Sequence, residues 1–297
     1  MSEPRPSVDT SPNTSPATSP DTAAIGTATG PTEWALPPGL VDALPMLRVA
    51  EREARVWARF WRTTMLSSLL VPFMFLGAMG VGLGGLVDDN RGTVDGVSYL
   101  AFVAPGILAA TALQAAAGNS LWPVMGGMKW MRTFHAAAAT PLSPGDVYAG
   151  YLAWGVARMV INASVFVAVA ALLGGVTSAW GVLAVPAAAL GGLAFAAPLT
   201  AYSAGADSDV TFPIVMRIAV MPMFLFSGTF FPVDQLPGWL EPLAWITPLW
   251  HAVELCRGAT TGSISLVASL GHLAFLLAVT ALGCRWGVHT FRSRLAA

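Results

Sequence analysis

Residues 226–258 read FSGTFFPVDQLPGWLEPLAWITPLWHAVELCRG. Too apolar for an ordinary loop, the stretch is broken by Pro232, Pro237, Pro242 and Pro248 too often for one spanning helix. Phe231 stands beside Pro232 and Trp239 beside Gly238, as expected of short helices at a membrane–water boundary, where amphipathic rings settle. The flanking sequence decides the class. Residues 63–87, 96–128, 159–206 and 258–284 contain no Asp, Glu, Lys or Arg, and a spanning helix needs about 20 apolar residues. Charged residues make up 10% of the 297-residue chain, against about 25% in soluble domains. The expected fold is therefore an all-α polytopic membrane protein. Its six transmembrane helices fall at about 63–86, 99–124, 148–174, 180–204, 210–231 and 265–288. The opening stretch forms re-entrant helices before the last span.

Outside the spans the chain changes character twice. Residues 1–42 are rich in Pro, Ser and Thr and are expected to be a disordered tail, with too little apolar surface to offset the entropy of ordering. The membrane domain then covers 43–297. It opens with Arg48, Arg52, Arg55, Arg59 and Arg62, whose 4-3-4-3 spacing puts five guanidinium groups on one helical stripe, with Val49, Val56, Trp57, Phe60 and Trp61 around it. That pattern predicts an amphipathic helix at the interface running into the first span. Basic residues set the orientation: the flank before span one, the loop after span two and the tail after span six hold ten, and the alternating loops hold Arg91 and Arg257. Both termini are expected in the cytoplasm and residues 226–258 outside. Cys256 and Cys284 then lie near opposite faces, which argues against a disulfide between them.

Several chemistries are excluded. The only lysine, Lys129, stands between Met128 and Trp130, so the chain has no Gly-Lys-Ser/Thr for a P-loop. His251 and Glu254 share a helical face without a third ligand nearby, so no metal site is expected. Ion-coupled secondary transport would need carboxylates within the spans, and none of the acidic residues falls clearly there. A transferase acting on a lipid-linked substrate would need a cluster of carboxylates or His at one face. Asp88, Asp89 and Asp95 cluster, but as a solvated loop.

Four motifs carry a family resemblance: YLAFVAPG (99–106), RTFHAAAATPLSPGD (132–146), FSGTFFPVDQLP (226–237) and TPLWHAVELCR (247–257). In these places the chain resembles the ABC-2 permeases of ATP-binding-cassette exporters, in the branch with nodulation-factor (lipo-oligosaccharide) exporters and daunorubicin-type drug exporters nearby. The resemblance covers about 45–294. It implies a multi-pass permease of the bacterial plasma membrane, working as one half of a homodimeric path for an amphipathic substrate. Two copies of a separate ATPase would bind the ATP and Mg, leaving no cofactor in this chain and no nucleic acid among its partners. It also implies a coupling helix within 126–146, where Met128, Lys129, Trp130, Met131, Arg132 and Phe134 would meet the ATPase or rest on lipid headgroups. The arginine stripe would be the connecting helix. Arg158, with Asn119 and Asn162, is expected on the translocation path or as a pin between helices. Asp207 and Asp209 are candidate partners for Arg217. Phe230, Phe231, Trp239, Trp250, His251 and Glu254 are expected at the extracellular gate.

Overall fold

The computed structural model describes residues 44–85, 93–94 and 96–296. The Pro/Ser/Thr tail and the Asp88, Asp89 and Asp95 cluster lie outside the described residues. Among these, the backbone is helical throughout, apart from turns and a single isolated bridge between Val94 and Val97.

Helix α1 (Met46–Phe75) continues into a π-helical turn, Leu76–Leu83. With no Gly or Pro between Met46 and Val71, the arginine stripe and the apolar run form one rod without a joint. Then come α2 (Tyr99–Ser120), α3 (Trp122–Met125) with the π turn Gly126–Trp130, and α4 (Thr133–Ala138). Helix α5 (Pro144–Leu172) begins in a capping box: Asp146 N–H donates to Ser143 Oγ at 3.2 Å, and Ser143 N–H donates to Asp146 Oδ2 at 3.0 Å. A 3₁₀ turn, Ala179–Leu183, opens α6 (Ala184–Gly205). The remaining helices are α7 (Phe212–Val215), α8 (Met221–Phe226), α9 (Glu241–Trp245), α10 (Pro248–Thr261) and α11 (Leu266–Leu295).

Among the described residues, four helical stretches are long and apolar enough to cross a membrane: Tyr99–Trp130, Pro144–Leu172, Ala179–Gly205 and Leu266–Leu295. They coincide with the expected second, third, fourth and sixth spans. The second and sixth differ at their ends, since their helices run past the expected boundaries at 124 and 288 to Trp130 and Leu295. In place of the expected fifth span, the helix covers only Phe212–Phe226, about 22 Å of rise. It stops because Gly228 turns the chain at φ 76° and Pro232 follows.

Helix α6 sits at the centre and packs against α11, α2, α5 and α10. Its face is built of Ala188, Gly191, Gly192, Ala194 and Ala197, all buried. Small side chains let helix backbones approach closely where lipid offers no hydrophobic driving force. Polar anchors lock the contacts. Buried Tyr148 of α5 donates its hydroxyl to Ala197 O at 2.9 Å and lies 3.2 Å from Gly283 O, so three helices meet at one phenol. Helix α2 breaks at Leu121, where ψ is −95°, and the carbonyl there accepts from buried Ser203 at 2.7 Å.

The end where Lys129, Arg132 and Arg294 gather around one hollow is the basic end. At the far end, residues 227–231 dip between the helices: Ser227 and Thr229 are buried, and a Cβ on Gly106 of α2 would stand 2.6 Å from the Thr229 carbonyl oxygen. Gly118, on the same helix, has open space. Gly106→Ala is therefore expected to lower the thermal midpoint of the detergent-purified protein by overpacking, at about 1–3 kcal/mol. Gly118→Ala should leave the midpoint unchanged or raise it, because Ala favours the helix by up to about 1 kcal/mol. Equal midpoints would show that the loop is not seated on Gly106.

Candidate functional site

Towards the basic end, the arginine half of α1, the end of α2, the start of α4, and α5 and α6 enclose a cavity of about 460 Å³. Arg158 of α5 lines it, and its Nη1 donates to Asn119 Oδ1 at 3.0 Å. Asn119 is held in turn: its Nδ2 donates to Ala115 O at 2.7 Å, and its carbonyl accepts from the Tyr151 hydroxyl at 2.6 Å. Arg52 also lines the cavity and donates to Glu53 at 2.8 Å. The fold thus brings together Arg158, Asn119 and one member of the arginine stripe. Asn162, one helical turn further along α5, is not in the lining. Arg48, Arg55, Arg59 and Arg62 are exposed on the outside of α1, and Arg55 pairs with Glu51. Tyr151 and Trp154, which complete the wall, had no signal in the sequence beyond their place in an apolar run.

Below the cavity lies the tip of the long helix, and here the six residues of the expected coupling segment divide. Met128 and Phe134 are buried; Phe134 packs edge-on against Tyr151 at 5.4 Å and beside Phe291 at 5.5 Å. These two are structural supports and offer no free surface. Trp130 and Met131 project, at 62% and 68% exposure. Arg132 is exposed too, with φ at 50°, a left-handed turn that swings the chain from the π turn into α4. Lys129 faces its own fold: Nζ donates to Asp207 O at 2.7 Å and lies 3.4 Å from Asp207 Oδ1. Arg294 Nη2 donates to the same carboxylate at 3.3 Å and to the Gly205 carbonyl. Asp207 therefore clasps the long helix to α11 and does not partner Arg217. Asp209 accepts from Trp122 Nε1 at 3.3 Å. Arg217 lies exposed on the π turn Met216–Val220.

At the far end, the expected gate residues form two separate arrangements. Arg257 lies 4.0 Å over the Phe102 ring and donates to Glu254 at 2.7 Å and to the Gly228 carbonyl at 2.5 Å, pinning the buried loop. Phe230 packs on Phe224 at 5.2 Å and near Phe75 at 6.3 Å, while Phe231 is half-buried beside it. His251 pairs with His272 of α11 at 2.8 Å between Nδ1 atoms and donates from Nε2 to Trp245 O at 2.9 Å. The carbonyl requires the proton on Nε2, so His251 Nδ1 accepts and His272 Nδ1 donates. Trp250 rests against both rings at 4.9 Å. Trp239, at 72% exposure, belongs to neither arrangement. His251 and Glu254, adjacent on the helical wheel, thus serve different partners. Cys256 and Cys284 are both free thiols.

The sequence pattern of the ABC-2 type transporter family matches residues 47–260. Nodulation protein J of Rhizobium leguminosarum bv. viciae is 35% identical over 74% of this chain and 83% of its own length. Nodulation protein J of Rhizobium meliloti is 33% identical over 75% and 86%. The inner membrane transport permease YadH of Escherichia coli is 21% identical over 78% and 90%. The family match spans the helices that build the cavity and the far-end loop.

The Asp207 clasp is open to measurement. Hydrogen bonding from Lys129, its charge, and Arg294 hold the Asp207 carboxyl below its ordinary value of 3.8. A depressed carboxyl pKa contributes stability that is present above the ordinary value and lost as pH falls through the lowered one. Hydrogen exchange of residues 126–132 and 290–296 is therefore expected to show no opening of the clasp from pH 8 down to pH 5, once the intrinsic pH dependence of exchange is removed. Asp207→Asn should raise exchange in both segments several-fold throughout that range. Unchanged exchange in this variant would mean that the clasp does not hold the tip.

Proposed function

The chain belongs to the ABC-2 type transporter family, and on that premise we propose that it is the permease subunit of an exporter driven by a separate ATPase. In this reading, two copies of the chain form the path in the bacterial inner membrane, with both termini in the cytoplasm. Two ATPase subunits dock at the basic end, and an amphipathic compound moves outward. The first and fifth of six spans are then the apolar half of α1 with its π turn, and the Phe212–Phe226 helix with the loop that follows. Exposed apolar residues on these two, such as Leu70, Met74, Ile218 and Met221, would face lipid or the second copy.

The carrying observation is the exposed pair Trp130 and Met131 at the end of the 32-residue helical stretch Tyr99–Trp130, which breaks once at Leu121. An aromatic and a flexible thioether suit a partner's groove. The shaft behind them runs past the Arg158 cavity to the loop seated on Gly106, so a push on the tip reaches both. The arginine stripe lies across the cavity from this tip and offers a second surface to the same partner. Power from outside the chain agrees with a sequence that has no Gly-Lys-Ser/Thr. The far-end pair α9 and α10 acts as a plug over the exit, fixed by Arg257 and by the imidazole pair. The Nodulation protein J relatives favour a lipo-oligosaccharide or a similar amphiphile.

Co-expression with a Walker-motif ATPase from the same genome tests the assignment. The two should co-purify, and the permease should raise ATP hydrolysis several-fold. Trp130→Asp with Met131→Asp should abolish co-purification while leaving the permease's thermal midpoint unaltered, because both side chains are exposed. Phe134→Asp should instead unfold the basic end. Intact co-purification and stimulation in the double variant would overturn the docking surface.

A further inference from the structure

The Arg158 cavity is specific about the chemistry it can accept, an inference that rests on the transport reading only for what becomes of the ligand. A guanidinium has five N–H donors, and a single one, Nη1 to Asn119 Oδ1, is spent within the described residues. The ionic side chains of the lining are Arg52, Glu53 and Arg158. Glu53 pairs with Arg52 at 2.8 Å and is also within electrostatic reach of Arg158, so the two cations and one anion of the lining leave one positive charge in excess. The Arg158 side chain is half-buried, and a partly desolvated charge is stabilised when an opposite charge joins it.

The polar neighbours of Arg158 are engaged: Asn119 has committed its oxygen to Arg158 and one amide hydrogen to Ala115 O, and Ser120 Oγ donates to Ala196 O at 3.4 Å. Val56, Leu152, Met159 and Leu193 make an apolar part of the lining. The volume, about 460 Å³, lies within the range of small-ligand pockets, roughly 300–1,000 Å³. It admits a head and the start of a chain.

We propose that this cavity binds the head of an amphiphile carrying a single negative charge on a phosphodiester or sulfate ester. Arg158 grips two of its oxygens with the planar fork that suits such groups. Asn119, itself fixed by Tyr151 and Ala115, keeps the guanidinium turned towards the cavity. The apolar wall takes the first part of the chain. The ligand is either an exported anionic compound or a resident membrane phospholipid.

The test uses the full-length chain purified in a neutral maltoside detergent, without any ATPase. Dihexanoyl phosphatidylglycerol should bind at least tenfold tighter than dihexanoyl phosphatidylcholine, whose choline cancels the charge. Arg158→Met should remove that preference, and Arg158→Lys should keep part of it. Leu193→Trp, which fills the cavity and leaves the charge in place, should weaken binding of phosphatidylglycerol at least tenfold and covers the case in which Arg158→Met does not fold. Equal binding of the two lipids, or wild-type binding by folded Leu193→Trp, would overturn the site. The source is read in liposomes of phosphatidylcholine with the ATPase and ATP. A lyso-phosphatidylglycerol probe moved across the bilayer marks a transported ligand, and one that stays bound marks a resident lipid; both keep the anion site. A chain that fails to stimulate the ATPase yet discriminates the two lipids would refute the exporter reading alone.

Discussion

The bundle is organised by the small side chains of the helix Ala184–Gly205. Four other helices pack against it, and each approach is set by backbone against backbone. Lipid tails are as apolar as leucine, so burying large side chains would bring these helices little. What holds them is dispersion over short distances and a few anchored polar groups. Tyr148 of a neighbouring helix bonds to the Ala197 carbonyl of this one, and its own Ser203 bonds to the Leu121 carbonyl at the break of another neighbour. The positions of the Arg158 cavity and of the loop on Gly106 follow from that spacing.

Charge is handled differently at the two ends. At the basic end, Asp207 gathers Lys129 and Arg294 in the open, where each pair is worth little by itself; the gain is that two helices share one carboxylate. At the far end, Arg257 is mostly buried, at 12% side-chain exposure, and its bonds to Glu254, the Gly228 carbonyl and the Phe102 face are made where water competes poorly. The first arrangement tolerates motion and the second resists it. That contrast fits an end that meets a partner and an end that stays shut.

Much of this was legible in the sequence. Uncharged runs marked the long helices within a few residues, since hydropathy over about 20 residues follows directly from bilayer thickness. The prolines of 226–258 signalled a broken, buried segment. Contacts between distant helices were not legible. Nothing local tells Phe134 from Trp130, yet one is core and the other projects, because Tyr151 and Phe291 come from elsewhere to cover the first. Asp207 looked like a partner for Arg217 by nearness in sequence, and the fold gave it Lys129 and Arg294 from 78 and 87 residues away. His272 went unnoticed as the mate of His251 for the same reason. A charge inside an apolar span singled out Arg158, a polar amide in another span singled out Asn119, and only the packing showed that they touch.

The break at Leu121 has a mechanical side. Above it the helix is wedged between neighbours; below it, the shaft carries the π turn and the exposed indole. The Leu121 carbonyl at the break accepts from Met125 N–H at 3.1 Å and from the Ser203 hydroxyl of another helix, the latter bond worth roughly 0.5–1.5 kcal/mol net. That is one to three times thermal energy at room temperature. A bend at this point is therefore spring-loaded but soft: thermal motion alone visits it, and a modest bias at the lower arm suffices to hold it. The molecule has a wrist rather than a rigid piston, and the stiffness of that wrist is set by one serine on a different helix.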